Sequence, residues 1–196
     1  MKNKKGFTLI ELLAVITIMG ILMMVAIPNV SRTIENARRD TFADIAHEYL
    51  NAVRNAVLAD QIECNLTTGY TVASGVPDGW YYFKVDTTQD NTKDLMESGG
   101  KSPFGNTELK GVILWQKVST NVTNGSGDKK TKTTYYMKLV DTGKHGFDGS
   151  WLREADIKRA NITTSTTGAD VSAPANDTTI SGSIKTTNAP IQCRLS

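Results

Sequence analysis

Apolar and polar positions divide the chain into stretches of different character. Residues 7–27 read FTLIELLAVITIMGILMMVAI and hold one charged side chain in 21 positions, with no polar face. At 1.5 Å per residue this run predicts a helix of roughly 32 Å, enough to span a hydrocarbon core of about 30 Å. Over residues 29–62 the pattern becomes two-sided. Ile34, Ala37, Ile45, Tyr49, Ala52, Val53 and Ala56 recur at spacings near three and four, while Glu35, Arg39, Asp44, Glu48, Asn51 and Asn55 take the other side. The helix is therefore expected to continue as an amphipathic half whose apolar stripe covers a sheet. Irregular heptads rich in alanine argue against a coiled coil, and Glu35 with Arg39 forms a favourable i,i+4 pair.

After Cys64 the helical period stops, and Gly69, Gly75, Pro77 and Gly79 mark a loop. Residues 80–85 (WYYFKV), 112–118 (VILWQKV) and 133–140 (TTYYMKLV) are rich in β-branched and aromatic side chains and predict strands. Residues 124–128 (NGSGD) predict the hairpin turn between the last two. The expected head is an antiparallel sheet laid on the amphipathic half-helix, which makes the fold α+β. Residues 150–159 (SWLREADIKR) predict a short helix. Beyond Asn161 the chain turns Thr-, Ser- and Asn-rich, and a strand at 179–185 and a loosely ordered surface segment are alternative readings of it.

Composition narrows the function more than the fold. With 196 residues the chain accommodates one membrane helix and one modest head. Its 22 basic residues are scattered among 20 acidic ones for a net charge of +2, so charge gives no reason to expect a nucleic-acid partner. Two cysteines 129 positions apart, Cys64 and Cys193, make no metal knuckle. His47 and His145 are the only histidines, and neither has the spacing of a metal ligand pair or of a base beside a nucleophile. His47 falls on the polar side of the helix. The stretch from Ser98 to Ser102 lacks the full phosphate-loop frame, and Asp141 and Asp148 lack the spacing of a calcium loop, so both read as turns. No catalytic residue, metal or cofactor is expected.

The N-terminus carries the sharpest signal. Met1 to Lys5 is MKNKK, then Gly6, then the apolar run. A secretory signal would have a core of about 7 to 15 residues ending at a small-x-small site, which Met24 and Ala26 do not supply. A plain membrane anchor leaves Glu11 unexplained, because an ionised carboxylate in such a run costs about 2.5 to 3.5 kcal/mol. Cutting after Gly6 would remove all three leader lysines and free an α-amine on Phe7, a cation that Glu11 of a neighbouring copy could meet.

Lys5-Gly6-Phe7-Thr8-Leu9-Ile10-Glu11 resembles the prepilin peptidase site of type IV pilins and pseudopilins. The resemblance is strong over about the first 30 residues and faint over the head. It implies cleavage after Gly6, N-methylation of Phe7, and a docking role for Glu11 in a growing filament. Gly20 and Pro28 stand where the family carries a helix-weakening glycine and proline. It also implies a type IV pilin-like division of the chain: a leader at 1–6, a transmembrane and filament-core helix at 7–28, an amphipathic half at 29–62 and a β-rich head at 63–196.

The implied partners are copies of the same chain, the prepilin peptidase with its assembly machinery, and membrane lipid before assembly. The implied location is a single pass in the cytoplasmic membrane with the head outside, then a cell-surface pilus. Many pilins tie the C-terminal region to the sheet with a disulfide. Outside the cytoplasm Cys64 and Cys193 suit that role, the alternative being two buried thiols. The function so implied is structural: a type IV pilus subunit. A pseudopilin of a secretion or DNA-uptake system is the nearest alternative, and a membrane-anchored binding protein that never polymerises is the alternative from another class.

Overall fold

The computed structural model describes residues 8–88, 95, 100–105, 107–121, 129–143, 145–147, 150–164, 171–172, 174–175, 178–181, 184–186 and 188–196. Gly6, Phe7, the turn expected at 124–128, Ser98 and Asp148 lie outside the described residues. One helix, α1 (Leu9–Leu58), runs without a break through Gly20 and Pro28. It stops four residues short of the expected end. Asp60 turns into the left-handed region at φ 57°, where a short polar side chain is tolerated. The Gln61 N–H then donates to the Ala56 carbonyl at 2.9 Å and the Asp60 N–H to the Val57 carbonyl at 3.4 Å, a Schellman closure. Ile62, assigned to the helix by periodicity, instead begins the first strand.

The chain forms two compact units, Met1–Arg38 and Arg39–Ser196. In the first, the described residues from Leu9 on are helical and their apolar side chains are exposed, from Leu9 at 82% through Met24 at 79% to Val30 at 55%. Ile34 and Ala37, expected in the buried stripe, are exposed too. This stretch is long and apolar enough to cross a membrane.

The second unit holds the sheet. Its strands are β1 (Ile62–Leu66), β2 (Gly69–Val72), β3 (Gly79–Asp86), β4 (Leu109–Asn121), β5 (Lys129–Asp141), β6 (Gly146–Phe147), β7 (Leu152–Arg153), β8 (Ile162–Thr163), β9 (Thr179–Ser181), β10 (Ile184–Lys185) and β11 (Ile191–Leu195). Nine strands form one sheet in the order β2-β1-β11-β3-β4-β5-β6-β8, with β7 on β5, while β9 and β10 pair separately. The three strands expected from the pattern are β3, β4 and β5, all longer than expected. The sheet is mixed rather than purely antiparallel, because β11 returns from the end of the chain to lie between β1 and β3, antiparallel to the first and parallel to the second.

Strand alternation gives the sheet two buried faces. Tyr81, Phe83 and Val85 of β3, Ile113 and Trp115 of β4, and Tyr135, Met137 and Leu139 of β5 face the helix. There they meet Phe42, Ala43, Ile45, Ala46, Tyr49, Leu50, Val53 and Ala56 of α1. The alternate residues Trp80, Tyr82, Val112, Leu114 and Tyr136 cluster on the far face with Trp151 and Ile180. Ile180 lies on β9, so part of the Thr-rich tail is ordered as the roof of a second core, and the strand expected at 179–185 is the β9–β10 pair. Residues 150–159 form no helix. Leu152 joins the β5 ladder opposite Met137, short 3-10 turns follow, and Glu154 and Arg159 pair with Arg54 and Asp40 of α1 at 2.5 and 2.6 Å. Those tertiary contacts override a weak local helix preference.

Gly100 shows how tightly the helix face is closed. It adopts φ +63°, and a Cβ there would stand 2.2 Å from the Tyr49 hydroxyl and 2.9 Å from Thr87 Cγ2. Burial pushes the Tyr49 hydroxyl above its ordinary pKa, and it has no hydrogen-bond partner among the described residues. Gly100→Ala is therefore expected to cost about 2 to 4 kcal/mol, from left-handed backbone strain plus overpacking. Adding Tyr49→Phe should return the steric share, which denaturant unfolding of the single and double variants will read.

Candidate processing and assembly site

The N-terminal site is built on the first turn of α1. Thr8 precedes the helix and Glu11 is its third residue, the T-x-x-E spacing of a capping box. The Thr8 N–H donates to Glu11 Oε2 at 2.8 Å and the Thr8 hydroxyl donates to the same oxygen at 2.7 Å. The Glu11 N–H returns a bond to Thr8 Oγ at 3.4 Å, and the Leu12 N–H closes the first helical bond to the Thr8 carbonyl at 3.2 Å. The carboxylate is thus partly satisfied within its own chain, whereas the sequence suggested only a neighbour's amine. The T-x-x-E spacing of Thr8-Leu9-Ile10-Glu11 carries the sequence signal for this bond, beside the stronger signal of the charge.

The other polar groups of the apolar stretch are also answered locally. The Thr17 hydroxyl donates to the Ala14 carbonyl at 2.9 Å, which suits a helix in lipid, where every donor needs an internal partner. Pro28 has no N–H to offer the carbonyl one turn back, so the helix is weakened there without being broken. A Cβ on Gly20 would meet nothing within 4 Å, so nothing within the subunit requires glycine at this position.

In the head, Cys64 and Cys193 are bonded, and they are direct partners in the β1–β11 register. Cys64 lies on a strand rather than at the helix end. The pair is buried in the helix-facing core, at 0% and 3% exposure.

A polar cluster escaped sequence reasoning. The Asp141 side chain is fully buried at the end of β5 and accepts the Ser102 hydroxyl at 2.6 Å and the His145 N–H at 2.8 Å. His145 Nδ1 lies 3.0 Å from Oδ2 of the same carboxylate, and its ring stacks on Phe104 at 4.2 Å. Ser102, Asp141 and His145 resemble a hydrolase triad in composition only. The serine hydroxyl donates to the carboxylate and not to the imidazole, so no base activates it. The cluster pins residues 101–105 to the β5–β6 turn, and Lys101 pairs with Glu108 in place of any phosphate-loop role. His47 is half-buried, with Nε2 3.3 Å from the Ile157 carbonyl, and not solvated as its helical position suggested. It lines a cavity of about 380 Å³ with Lys132, Tyr135, Arg153 and Glu154, where Glu154 is already paired with Arg54. Among the described residues no group of three His, Cys, Asp or Glu side chains converges as a metal site.

Residues 1–27 match the family model described as the prokaryotic N-terminal methylation motif. The chain carries the N-terminal motif of pilin- and pseudopilin-type prepilins. It is also 29% identical over 129 residues to a protein of Clostridium perfringens named "Prepilin peptidase-dependent protein A", covering 62% of this chain and 87% of that relative. No solved structure matches the chain. Prepilins of this type are structural rather than catalytic.

Proposed function

We propose that this prepilin is the structural subunit of a type IV pilus. A prepilin peptidase cuts after Gly6, Phe7 becomes the N-methylated terminus, and the subunit leaves the membrane by polymerising through α1 with its head outside the cytoplasm. The observation that carries this reading is an apolar helical stretch exposed from Leu9 to Val30, in a chain whose head has closed cores of its own. Such a surface finds a stable home only in lipid or against other apolar helices. The motif at residues 1–27 and the peptidase dependence named for the clostridial relative supply the processing route.

In this reading Glu11 pairs with the α-amine of a neighbouring Phe7 and sets the docking position. Glu11→Ala is expected to be cleaved normally and to lower sheared filament to background. Mass spectrometry of the mature N-terminus with electron microscopy of a strain carrying the variant will test both halves. Long fibres from Glu11→Ala would refute the docking role, and an uncut leader in the wild-type chain would refute the pilus reading itself.

A further inference from the structure

We propose that the outer edge of β5, from Lys130 to Thr134, is a docking site for an acidic peptide that adds to the sheet as a further strand. β5 is laddered to β4 along its whole length, but on its other side β7 reaches only Tyr136 and Met137. β7 then leaves the lane, because Glu154 is held by Arg54 at 2.5 Å and the chain turns into the 3-10 segment Glu154–Asp156. Among the described residues nothing pairs with β5 from Lys129 to Tyr135 on that side. In place of a strand there is an open cavity of about 380 Å³, lined by His47, Lys132, Thr133, Thr134 and Arg153. Such an edge presents a row of backbone donors and acceptors that an added strand can take up. The whole edge lies in the unit Arg39–Ser196, so binding there is independent of the apolar stretch of α1.

Charge selects the kind of chain. Strand alternation puts Lys130, Lys132 and Thr134 on the same face as Tyr136, and Arg153 stands opposite Tyr136 in the β5–β7 register. Lys130, Lys132 and Arg153 are exposed, and across the β4 ladder the two lysines meet Thr120 and Val118. Among the described residues none of the three cations pairs with a carboxylate, and the acid beside them, Glu154, is taken by Arg54. The opposite face of the same edge carries Thr131, Thr133 and Tyr135, which are neutral. The matching strand therefore alternates acids with neutral residues, its acids on the lysine side. A second copy of the chain is a poor occupant. Antiparallel self-pairing centred on Thr131 would set Lys130 of one copy opposite Lys132 of the other, and like charges directly opposed are destabilising. The lysines thus guard the edge against its own kind and favour an acidic strand.

The test uses the full chain in nonionic detergent micelles and a capped peptide alternating glutamate with threonine over about eight residues, the span that strand rise sets along this edge. One control has the same composition with its glutamates in a block. The other keeps the alternating glutamates but replaces the threonines with proline, which cannot donate to a ladder. The alternating peptide is expected to bind about tenfold more tightly than either control, and to slow amide exchange within residues 130–134. Lys130→Glu with Lys132→Glu should weaken it about tenfold, the combined effect of a few exposed cross-strand ion pairs. The same variant should instead bind an alternating lysine and threonine peptide, which also shows that it is folded.

Equal binding of the alternating and block peptides would reduce the effect to unpatterned charge and overturn the proposal. Equal binding of a single-stranded oligonucleotide would overturn it in the same way. Equal binding of the proline peptide would remove the ladder. Unchanged exchange at 130–134 under saturating peptide, or unaltered affinity in the double variant, would put the peptide elsewhere on the head and refute the site. No binding of the alternating peptide at low salt would refute it outright.

Discussion

Replacing Cys64 and Cys193 together by alanine is expected to lower the thermal midpoint of the head by roughly 6 to 15 °C. The bond joins residues 129 positions apart. Removing a native disulfide typically costs about 2 to 5 kcal/mol, and a domain of this size loses about 3 °C per kcal/mol. Sheet order makes this bond more than a loop constraint. In the described ladder, β1 and β2 are hydrogen-bonded to β3, β4 and β5 through β11, because β1 and β3 do not pair with each other. β11 is five residues long, and it is held to β3 by a short parallel register from Ile191 opposite Tyr81 to Cys193 opposite Phe83.

Without the disulfide, the C-terminal strand should open first and leave two unpaired edges inside the sheet. Amide exchange should then rise in β1, β2 and β11 and stay slow in β4 and β5, whose 13-residue ladder is independent of the bond. A midpoint within about 2 °C of the wild type, measured with the wild type oxidised, would show that side-chain packing alone holds β11 in place.

That topology was the part of the fold least legible in the sequence. The three strands rich in aromatic and β-branched residues announced themselves, because Trp80 to Val85 and its two partners are central and buried on both faces. β11, with the sequence IQCRL, is short and half-exposed and shows no strong period. Its place between β1 and β3 is decided by long-range pairing and a disulfide, which no local window contains. For the same physical reason 150–159 misled. Its helical pattern was real but weak, and ladder pairing of Leu152 with two ion pairs to α1 outweighed it.

The candidate site was legible to the opposite degree. Gly6, Phe7 and Glu11 stand out because a charge in an oily run is expensive and so needs a reason. Thr8 was hidden by being unremarkable beside them. The Ser102, Asp141 and His145 cluster had no sequence signal at all, since 39 residues separate the serine from its carboxylate.

Deleting residues 1–38 is expected to leave a water-soluble monomer whose thermal midpoint stays within about 3 °C of the full-length value, equivalent to about 1 kcal/mol. The buried helix residues begin at Phe42 and end at Ala56, and every described member of both cores lies beyond residue 38. The apolar side chains from Leu9 to Val30 are exposed. Each such side chain, once covered, is worth about 1.5 to 3 kcal/mol, so more than a dozen in one helix outweigh the whole stability of an ordinary head.

In the proposed pilus, the stability of the head and the drive to associate would therefore reside in different residues of one helix, and the head would fold before the chain joins a filament. Size-exclusion chromatography with light scattering will give the state of the truncated chain, and thermal unfolding its stability. An aggregated product, or a midpoint depressed by more than about 6 °C, would mean that the apolar half supports the head directly, and the separation of the two roles would fail.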